Sequence, residues 1–270
     1  MISRKLIVVF MFTHFVLSIN AQEKQVKDLR HSFMYIGLGG MLSSFQDVKY
    51  SSVRYSGIGG NINFGYENTK KKNYFSTNFS LFFTSEKART YDLGRALLLD
   101  ALIDVSYLMP IIRKENQKVY LGAKWDVLDI YLRQTEDLMN NSFYYVSGSN
   151  LKIASLYERT LSDELSIRGG VSFQLISFMK ESTSFGFSAP QDVLENGEFT
   201  YQDLALYNPF GFKHYNFEAF TKYINFETLL EVHYKQRWII SYKWNMQGSK
   251  KVPNYPMTKG YSSLSFRFKF

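Results

Sequence analysis

Apolar and polar residues alternate with a period of two along most of the chain after residue 30. The end of the chain, from Ser263 to Phe270, shows the pattern best: Leu and Phe occupy one parity, and Ser, Arg and Lys occupy the other. Successive side chains of a β-strand point to opposite faces, so this period predicts strands with one apolar and one polar face. The fold class that we expect is all-β.

Ten alternating segments are present, at residues 32–43, 54–66, 74–85, 97–109, 118–131, 151–159, 164–179, 222–234, 237–247 and 260–270. Each is about as long as a tilted strand that crosses a bilayer. The segment 97–109 also admits a helix, because Asp100 and Asp104 are four residues apart. We assign it to a strand because Asp100, Asp104 and Ser106 share one parity and apolar residues fill the other.

The connections between these segments are alternately short and long. Short connections fall at residues 67–73, 110–117, 159–163 and 235–236, and longer ones at 44–53, 85–95, 132–150, 180–221 and 247–259. A β-sandwich has no reason to place a long loop at every second connection. An up-and-down antiparallel barrel has short turns at one end and long loops at the other, and an even strand number puts both termini at the turn end.

The first 21 residues are predicted to be a secretory signal peptide. Arg4 and Lys5 precede the apolar stretches 6–12 and 15–19, and Ala21 suits the position before a cleavage site. An N-terminal membrane anchor is the alternative, but the apolar stretch is short for a spanning helix. Residues 22–30 are polar and are expected to form an N-terminal segment ahead of the strands.

Composition narrows the class further. The shares of 45% hydrophobic, 21% charged and 17% aromatic residues exclude a disordered chain. The chain has no Cys, which excludes disulfides, thiolate metal sites, a Cys nucleophile and a lipidated Cys after the signal peptide. Removing residues 1–21 lowers the formal charge from +8 to +6, without the clustered basic stripe of a nucleic-acid-binding protein.

The alternation, the rhythm of connections and the terminal strand LSFRFKF together resemble a bacterial outer-membrane β-barrel. The Tyr-, Phe-, Asn- and Lys-rich composition is similar to that of small, porin-like barrels of Bacteroidota, which are Gram-negative. The resemblance implies a transmembrane barrel of about ten strands (eight to twelve) over residues 31–270, with short periplasmic turns and a long extracellular loop at 180–221. It also implies partners: outer-membrane lipid, lipopolysaccharide, and the barrel-assembly machinery acting on the C-terminal strand. No motif selects one subfamily, and no cofactor or nucleic-acid partner is expected.

If the apolar parity faces lipid, the polar parity lines the lumen. The charged residues that we expect there are Asp100, Asp104, Lys124, Asp126, Lys152, Glu158, Arg168, Glu227, Glu231, Lys243, Arg267 and Lys269, together with His233. Opposite charges on neighbouring strands stabilise each other by about 0.2–1 kcal/mol. We predict the pairs Asp104–Lys124, Glu158–Arg168, and Lys243 with Glu227 or Glu231, which either fill the lumen or line a polar path.

An aromatic girdle is expected where the outward faces reach the turn end, as membrane interfaces require. Its predicted members are Tyr66, Tyr107, Tyr157, Trp238 and Phe270. The glycine-rich strands 32–43 and 54–66 carry no phosphate-binding motif. Their glycines are expected to allow bending or to make room for bulky neighbours.

These features predict a structural outer-membrane barrel or a narrow channel for small solutes, because about ten strands enclose too little space for a wide porin. An alternative is a surface binding or adhesion protein that acts through residues 132–150 and 180–221. A third is a hydrolase at the outer rim, for which Asp92, Asp203 and His214 are the candidates, although nothing in the sequence fixes their geometry. We expect no enzyme, no catalytic residue and no metal site, since no cluster has metal-ligand spacing.

Overall fold

The alternating segments form β-strands in the computed structural model, which describes residues 32–47, 51–69, 73–89, 94–137, 140–185, 215–235, 237–249 and 257–270. The strands are β1 Ser32–Asp47, β2 Ser51–Asn68, β3 Tyr74–Ala88, β4 Arg95–Arg113, β5 Gln117–Asp137, β6 Asn140–Ser162, β7 Leu165–Phe185, β8 Asn216–Ala219, β9 Tyr223–Tyr234, β10 Trp238–Ser249 and β11 Met257–Lys269. All ten predicted segments form strands, which confirms the all-β class. The predicted signal peptide (1–21) and the segment 22–30 lie outside the described residues.

The strands close into a barrel. Each is antiparallel to its neighbours in the order β1 to β7, then β9, β10 and β11, and β11 pairs back with β1. At the seam, the backbone amides of Met34 and Phe270 each donate to the other residue's carbonyl, at 3.2 and 3.0 Å. Closure satisfies the backbone groups that a sheet edge would leave free.

The short strand β8 does not widen this barrel. It pairs with Ile176–Met179 of β7, and β9 pairs with Leu165–Phe173 on the same edge of β7. The turn at residues 220–222 lies between them. β8 therefore continues the course of β9, and the closed wall has ten strands.

The helical alternative for residues 97–109 is wrong, because these residues lie within β4. β4 also contains Pro110, where the register with β5 shifts between Pro110 and Ile112. Pro cannot donate a ladder hydrogen bond, and a bulge is one of the few places where a strand tolerates it.

The two parities separate as the barrel closes. On β3, Phe75, Phe79 and Phe83 point outward and are 36–53% exposed, whereas Ser76 and Ser80 point inward and are buried. Because the closed wall surrounds the inward side chains, the polar face of the sheet is buried and the apolar face is exposed. Among the described residues, no helix is long and apolar enough to cross a membrane.

We call the two ends of the barrel the turn end and the loop end. Ser32, Phe270 and the connections 69–73, 114–116, 163–164 and 235–237 lie at the turn end. The connections that follow β1, β3, β5, β7 and β10 lie at the loop end.

Two predicted loops at the loop end are largely strand. Residues 132–150 continue β5 to Asp137 and begin β6 at Asn140, and residues 44–53 mostly belong to β1 and β2. The period of two persists there with smaller or more polar residues: Arg133 and Thr135 are buried and Gln134 is exposed.

The long connection predicted at residues 180–221 is shortened at both ends, because strands occupy part of it. β7 continues to Phe185, and Asn216–Ala219 form β8. Residues 186–214 lie outside the described residues.

Candidate functional site: the interior of the barrel

The predicted lumen charges all lie on the inward face. Eleven of the twelve charged residues are buried. The exception is Glu158, whose side chain is 15% exposed. His233 is buried on the same face. They come from strands on all sides of the barrel, so the interior is a set of ion pairs that join distant parts of the chain.

The predicted Glu158–Arg168 pair forms between β6 and β7. The two residues are direct register partners, and Arg168 Nη2 lies 2.9 Å from Glu158 Oε2. Both residues lie close to the turn at 163–164, and the register shift between Thr160 and Ser162 brings them directly opposite each other.

The predicted Asp104–Lys124 pair forms diagonally between β4 and β5. Its N–O distance is 3.6 Å, but the register partner of Asp104 is Asp126, after a register shift between Ile103 and Asp104. Lys124 makes a shorter contact across the lumen, at 2.6 Å to Glu227 Oε1 on β9. Glu227 also accepts the predicted contact from Lys243 at 2.8 Å. These four residues, Asp104, Lys124, Glu227 and Lys243, form the middle network.

A second network lies nearer the turn end and centres on Arg168. Its guanidinium contacts Glu67 on β2 at 2.7 Å and Glu231 on β9 at 3.3 Å, in addition to Glu158. Glu231 also accepts from Arg267 on β11 at 2.7 Å. We call Glu67, Glu158, Arg168, Glu231 and Arg267 the Arg168 network; it bridges five strands.

His233 and Lys269 extend the Arg168 network toward the turn end. His233 Nε2 lies 3.1 Å from Glu231, and its Nδ1 lies 2.8 Å from Lys269 Nζ. Lys269 also lies over the Phe33 ring, 4.3 Å from its centroid. This end of the interior is therefore crossed by charged and aromatic groups.

Three further ion pairs lie toward the loop end. They are Lys259–Asp100 at 2.9 Å, Lys152–Asp126 at 2.6 Å and Arg133–Asp47 at 3.0 Å. The pairs Lys259–Asp100 and Arg133–Asp47 join strands that are not neighbours in the wall, β11 with β4 and β5 with β1.

An apolar cluster lies inside the barrel beside these pairs. It contains Tyr131, Val146, Met179, Tyr223 and Met257, from five different strands. Each of these side chains is at most 9% exposed. The cluster brings together side chains from β5 and β11, which lie on opposite sides of the wall.

Small cavities lie among the described interior side chains. One of about 90 Å³ lies between the middle network and the Arg168 network, and two others of about 20 and 10 Å³ lie nearer the loop end. A buried water needs about 10–15 Å³ of such volume, so the first cavity suits a few water molecules and each of the others suits at most about one. Ser172 Oγ in the first cavity and Asn245 Oδ1 in the smallest one have no protein partner and are available to hold water.

The predicted girdle residues lie at the turn end of the outer face. Tyr107, Trp238 and Phe270 are about half exposed, and Tyr66 and Tyr157 are partly buried. Trp238 packs edge-on against Phe268 at 5.1 Å between ring centroids.

The sequence reasoning missed several charged residues of the interior, among them Asp47, Glu67, Arg133 and Lys259. These four lie just beyond the ends of predicted segments. Parity identifies Asp47, Glu67 and Lys259, which continue the inward face of their strands, whereas Arg133 follows the register shift between Asp126 and Asp129, where the inward parity of β5 changes.

The enzyme candidates find no assembled site among the described residues. His233 belongs to the ion-pair network, whereas Asp92, Asp203 and His214 lie outside the residues that the structure describes. Within the described ranges, no group of three or more His, Asp or Glu side chains is arranged to hold a metal ion.

No protein-family model matches the chain, and a comparison with curated proteins finds no match. Among solved structures, the chain is similar to the outer membrane protease OmpT from Escherichia coli, with 5% identity, 88% of this chain and 96% of that chain covered, and a TM-score of 0.49. It is also similar to the translocator domain of the autotransporter NalP from Neisseria meningitidis, with 10% identity, coverage of 96% and 93%, and a TM-score of 0.41. For Neisserial surface protein A, the identity is 10%, the coverage 88% and 97%, and the TM-score 0.36.

Proposed function

We propose that the protein is an integral β-barrel of a bacterial outer membrane with a closed interior, so that it acts as a structural barrel and not as an open channel. The observation that carries the proposal is the filling of the lumen. The middle network, the Arg168 network and the apolar cluster at Tyr131 and Met179 each join opposite walls.

The outer face supports the membrane placement. On β3, the outward apolar residues run from Phe75 to Phe83, about 26 Å of strand at roughly 3.3 Å per residue. A strand tilt of about 40° reduces this to roughly 20 Å along the barrel axis. Outer-membrane barrels have an apolar band about 25 Å tall.

The sequence supports the choice of membrane and its orientation. The predicted signal peptide and the terminal strand LSFRFKF are typical of exported barrels. Short turns with both termini on one side are typical of the periplasmic end. The loop end would then face outward.

Location and orientation are tested together in whole cells. An epitope inserted at residues 138–139, in the β5–β6 hairpin, should be labelled on intact cells. The same epitope at residues 115–116, in the β4–β5 turn, should be labelled only after the outer membrane is opened. Fractionation of either chain with soluble proteins would contradict the proposal.

Closure is tested by conductance. The purified chain, reconstituted in a planar bilayer, should give no defined current steps under conditions in which an open porin does. Reproducible steps that change size when Lys124 and Glu227 are replaced by Met and Gln would show a conducting lumen. That result would support the narrow-channel alternative.

Surface binding is the second candidate, and it rests on the loop end of β7 and β8. Phe178 stacks on Tyr215 there, with ring centroids 4.9 Å apart, and makes a tilted contact with Phe217 at 4.8 Å. Phe217 is 73% exposed. Deletion of residues 186–214 with β8 retained should abolish cell-surface binding if this candidate is correct. The rim-hydrolase alternative receives no support from His233, which is paired in the interior.

A further inference from the structure

Four basic side chains form a cluster on the outer face at the loop end. Arg54 on β2, Lys87 at the end of β3, Arg89 just after it and Arg95 on β4 are all exposed and share the outward parity. We call these four residues the outer basic cluster.

Backbone pairing brings them close together. Lys87 and Arg95 are direct register partners, and the Arg89 amide donates to the Arg54 carbonyl at 3.0 Å. The Arg89 Nε donates to Ser56 Oγ at 3.3 Å, and Ser56 is the register partner of Lys87. Since paired positions in antiparallel strands lie about 4.5–5.5 Å apart, the four charges occupy one small area of the wall.

Two acidic residues at the same level do not neutralise the cluster. Glu86 on β3 and Asp47 on β1 point inward and are 1% and 5% exposed. Among the described residues, no ion pair to a member of the cluster is formed. On the β5 side, Arg95 pairs in register with Glu136.

Such a concentration of like charge is unfavourable by itself, because like charges directly opposite on a sheet repel each other. A bound anion removes this cost and is attracted by all four side chains. Arg offers a planar fork that matches phosphate oxygens, and Lys adds a point charge.

The position of the cluster indicates where that anion lies. Directly below it on the same three strands are Ile58, Phe83 and Leu97, which are 53–73% exposed and begin the apolar band. Lys87 is four residues beyond Phe83, which is roughly 10 Å along the barrel axis at a tilt of about 40°. This is the level of lipid headgroups when the apolar band lies in the hydrocarbon.

We propose that the outer basic cluster binds the phosphate groups of lipopolysaccharide in the outer leaflet, with Ile58, Phe83 and Leu97 contacting its acyl chains. The inference rests on the proposed function, in which the loop end faces outward. It adds a defined lipid site on one side of the barrel.

The test uses the full mature chain folded in detergent micelles and three probes. They are diphosphoryl lipid A, the same lipid after enzymatic dephosphorylation, and inorganic phosphate. Native mass spectrometry counts bound lipid, and titration gives the affinity. The test variant carries Arg54→Gln, Lys87→Gln, Arg89→Gln and Arg95→Gln.

A matched control removes the same number of charges at the opposite end. Arg113, Lys114, Lys235 and Arg237 are also exposed basic residues, and they lie at or beside turns of the turn end. The control variant replaces these four by Gln. Heat-dependent gel mobility establishes that both variants are folded.

The wild type should bind diphosphoryl lipid A at least about tenfold more tightly than the cluster variant, a difference of about 1.4 kcal/mol. The control should bind like the wild type, and dephosphorylation should remove the difference between the variants. Equal binding by wild type and cluster variant, or equal weakening in both variants, would overturn the inference. Tight binding of inorganic phosphate alone, with no gain from the lipid, would instead assign the cluster to a free anion and also overturn it.

The lipid-binding test and the test of the proposed function can fail independently of each other. Binding in micelles does not depend on where the protein resides, and epitope labelling does not depend on lipid affinity. A correctly oriented barrel that fails to bind lipid A would refute only the lipid site.

Discussion

Arg168→Met should destabilise the barrel by an amount that the contacts of Arg168 allow us to estimate. Three carboxylates surround its guanidinium at 2.7 to 3.3 Å. After the change, Glu231 keeps Arg267 at 2.7 Å, and Glu158 keeps Lys118 at 3.9 Å with some access to water. The loss therefore falls mainly on Glu67, which is buried.

Removing one partner of a buried ion pair costs about 3–5 kcal/mol, because the remaining charge is desolvated without compensation. We expect a loss of this size for Arg168→Met. The double variant Arg168→Met with Glu67→Gln should recover most of it, since replacing both partners by neutral groups is often close to neutral.

The measurement is urea unfolding of the chain reconstituted in lipid vesicles, followed by Trp fluorescence and by gel mobility. Arg237→Met is the control, because Arg237 is exposed at the turn end and should change the free energy of unfolding little. If Arg168→Met unfolds at the wild-type urea concentration, or if the double variant is as unstable as the single one, the buried ion pairs of Arg168 do not stabilise the barrel.

Three further changes test the wall and the interior. Gly59→Ala should destabilise by about 1–3 kcal/mol, because its new Cβ would overlap the Phe83 carbonyl oxygen. Gly40→Ala meets nothing within 4 Å and should be neutral in the same unfolding assay. Deleting Phe270 removes both seam hydrogen bonds to Met34; we expect a loss of about 1–3 kcal/mol and slower assembly, seen as a smaller heat-modifiable fraction in pulse-labelled cells. Lys152→Met removes the ion-pair partner of the buried Asp126 and should lower the free energy of unfolding by about 3–5 kcal/mol. Unfolding at the wild-type urea concentration would contradict this expectation.

The sequence predicted the wall well because parity is a local property. Whether a residue faces lipid or lumen follows from its neighbours two positions away, and the last strand shows this from Ser263 to Phe270. The Glu158–Arg168 pair was predictable because both residues lie close to the same short turn, although the register shift between Thr160 and Ser162 was not. The Asp104–Lys124 pair forms despite a register shift because long side chains reach diagonal neighbours.

Strand ends were predicted less well, and the interior shows the consequence. Asp47, Glu67, Arg133 and Lys259 were missed because the predicted segments stop before them, where the outward residues become less apolar. Their partners were not predictable from periodicity, since Lys259–Asp100 and Arg133–Asp47 meet only across a closed lumen. Those contacts depend on strand number and stagger, which are properties of the whole barrel.

The trans-lumen ion pairs have a consequence for assembly. Lys259 on the final strand pairs with Asp100 on β4, so this carboxylate receives its cation only when the C-terminal strand is in position. Arg267 on the same strand adds a second cation to Glu231, which also contacts Arg168. Charge neutralisation and sealing of the seam between first and last strands are thus one event. An intermediate that is open at this seam retains unpaired charges within a low-dielectric surrounding, so incomplete barrels are disfavoured and the final step is cooperative.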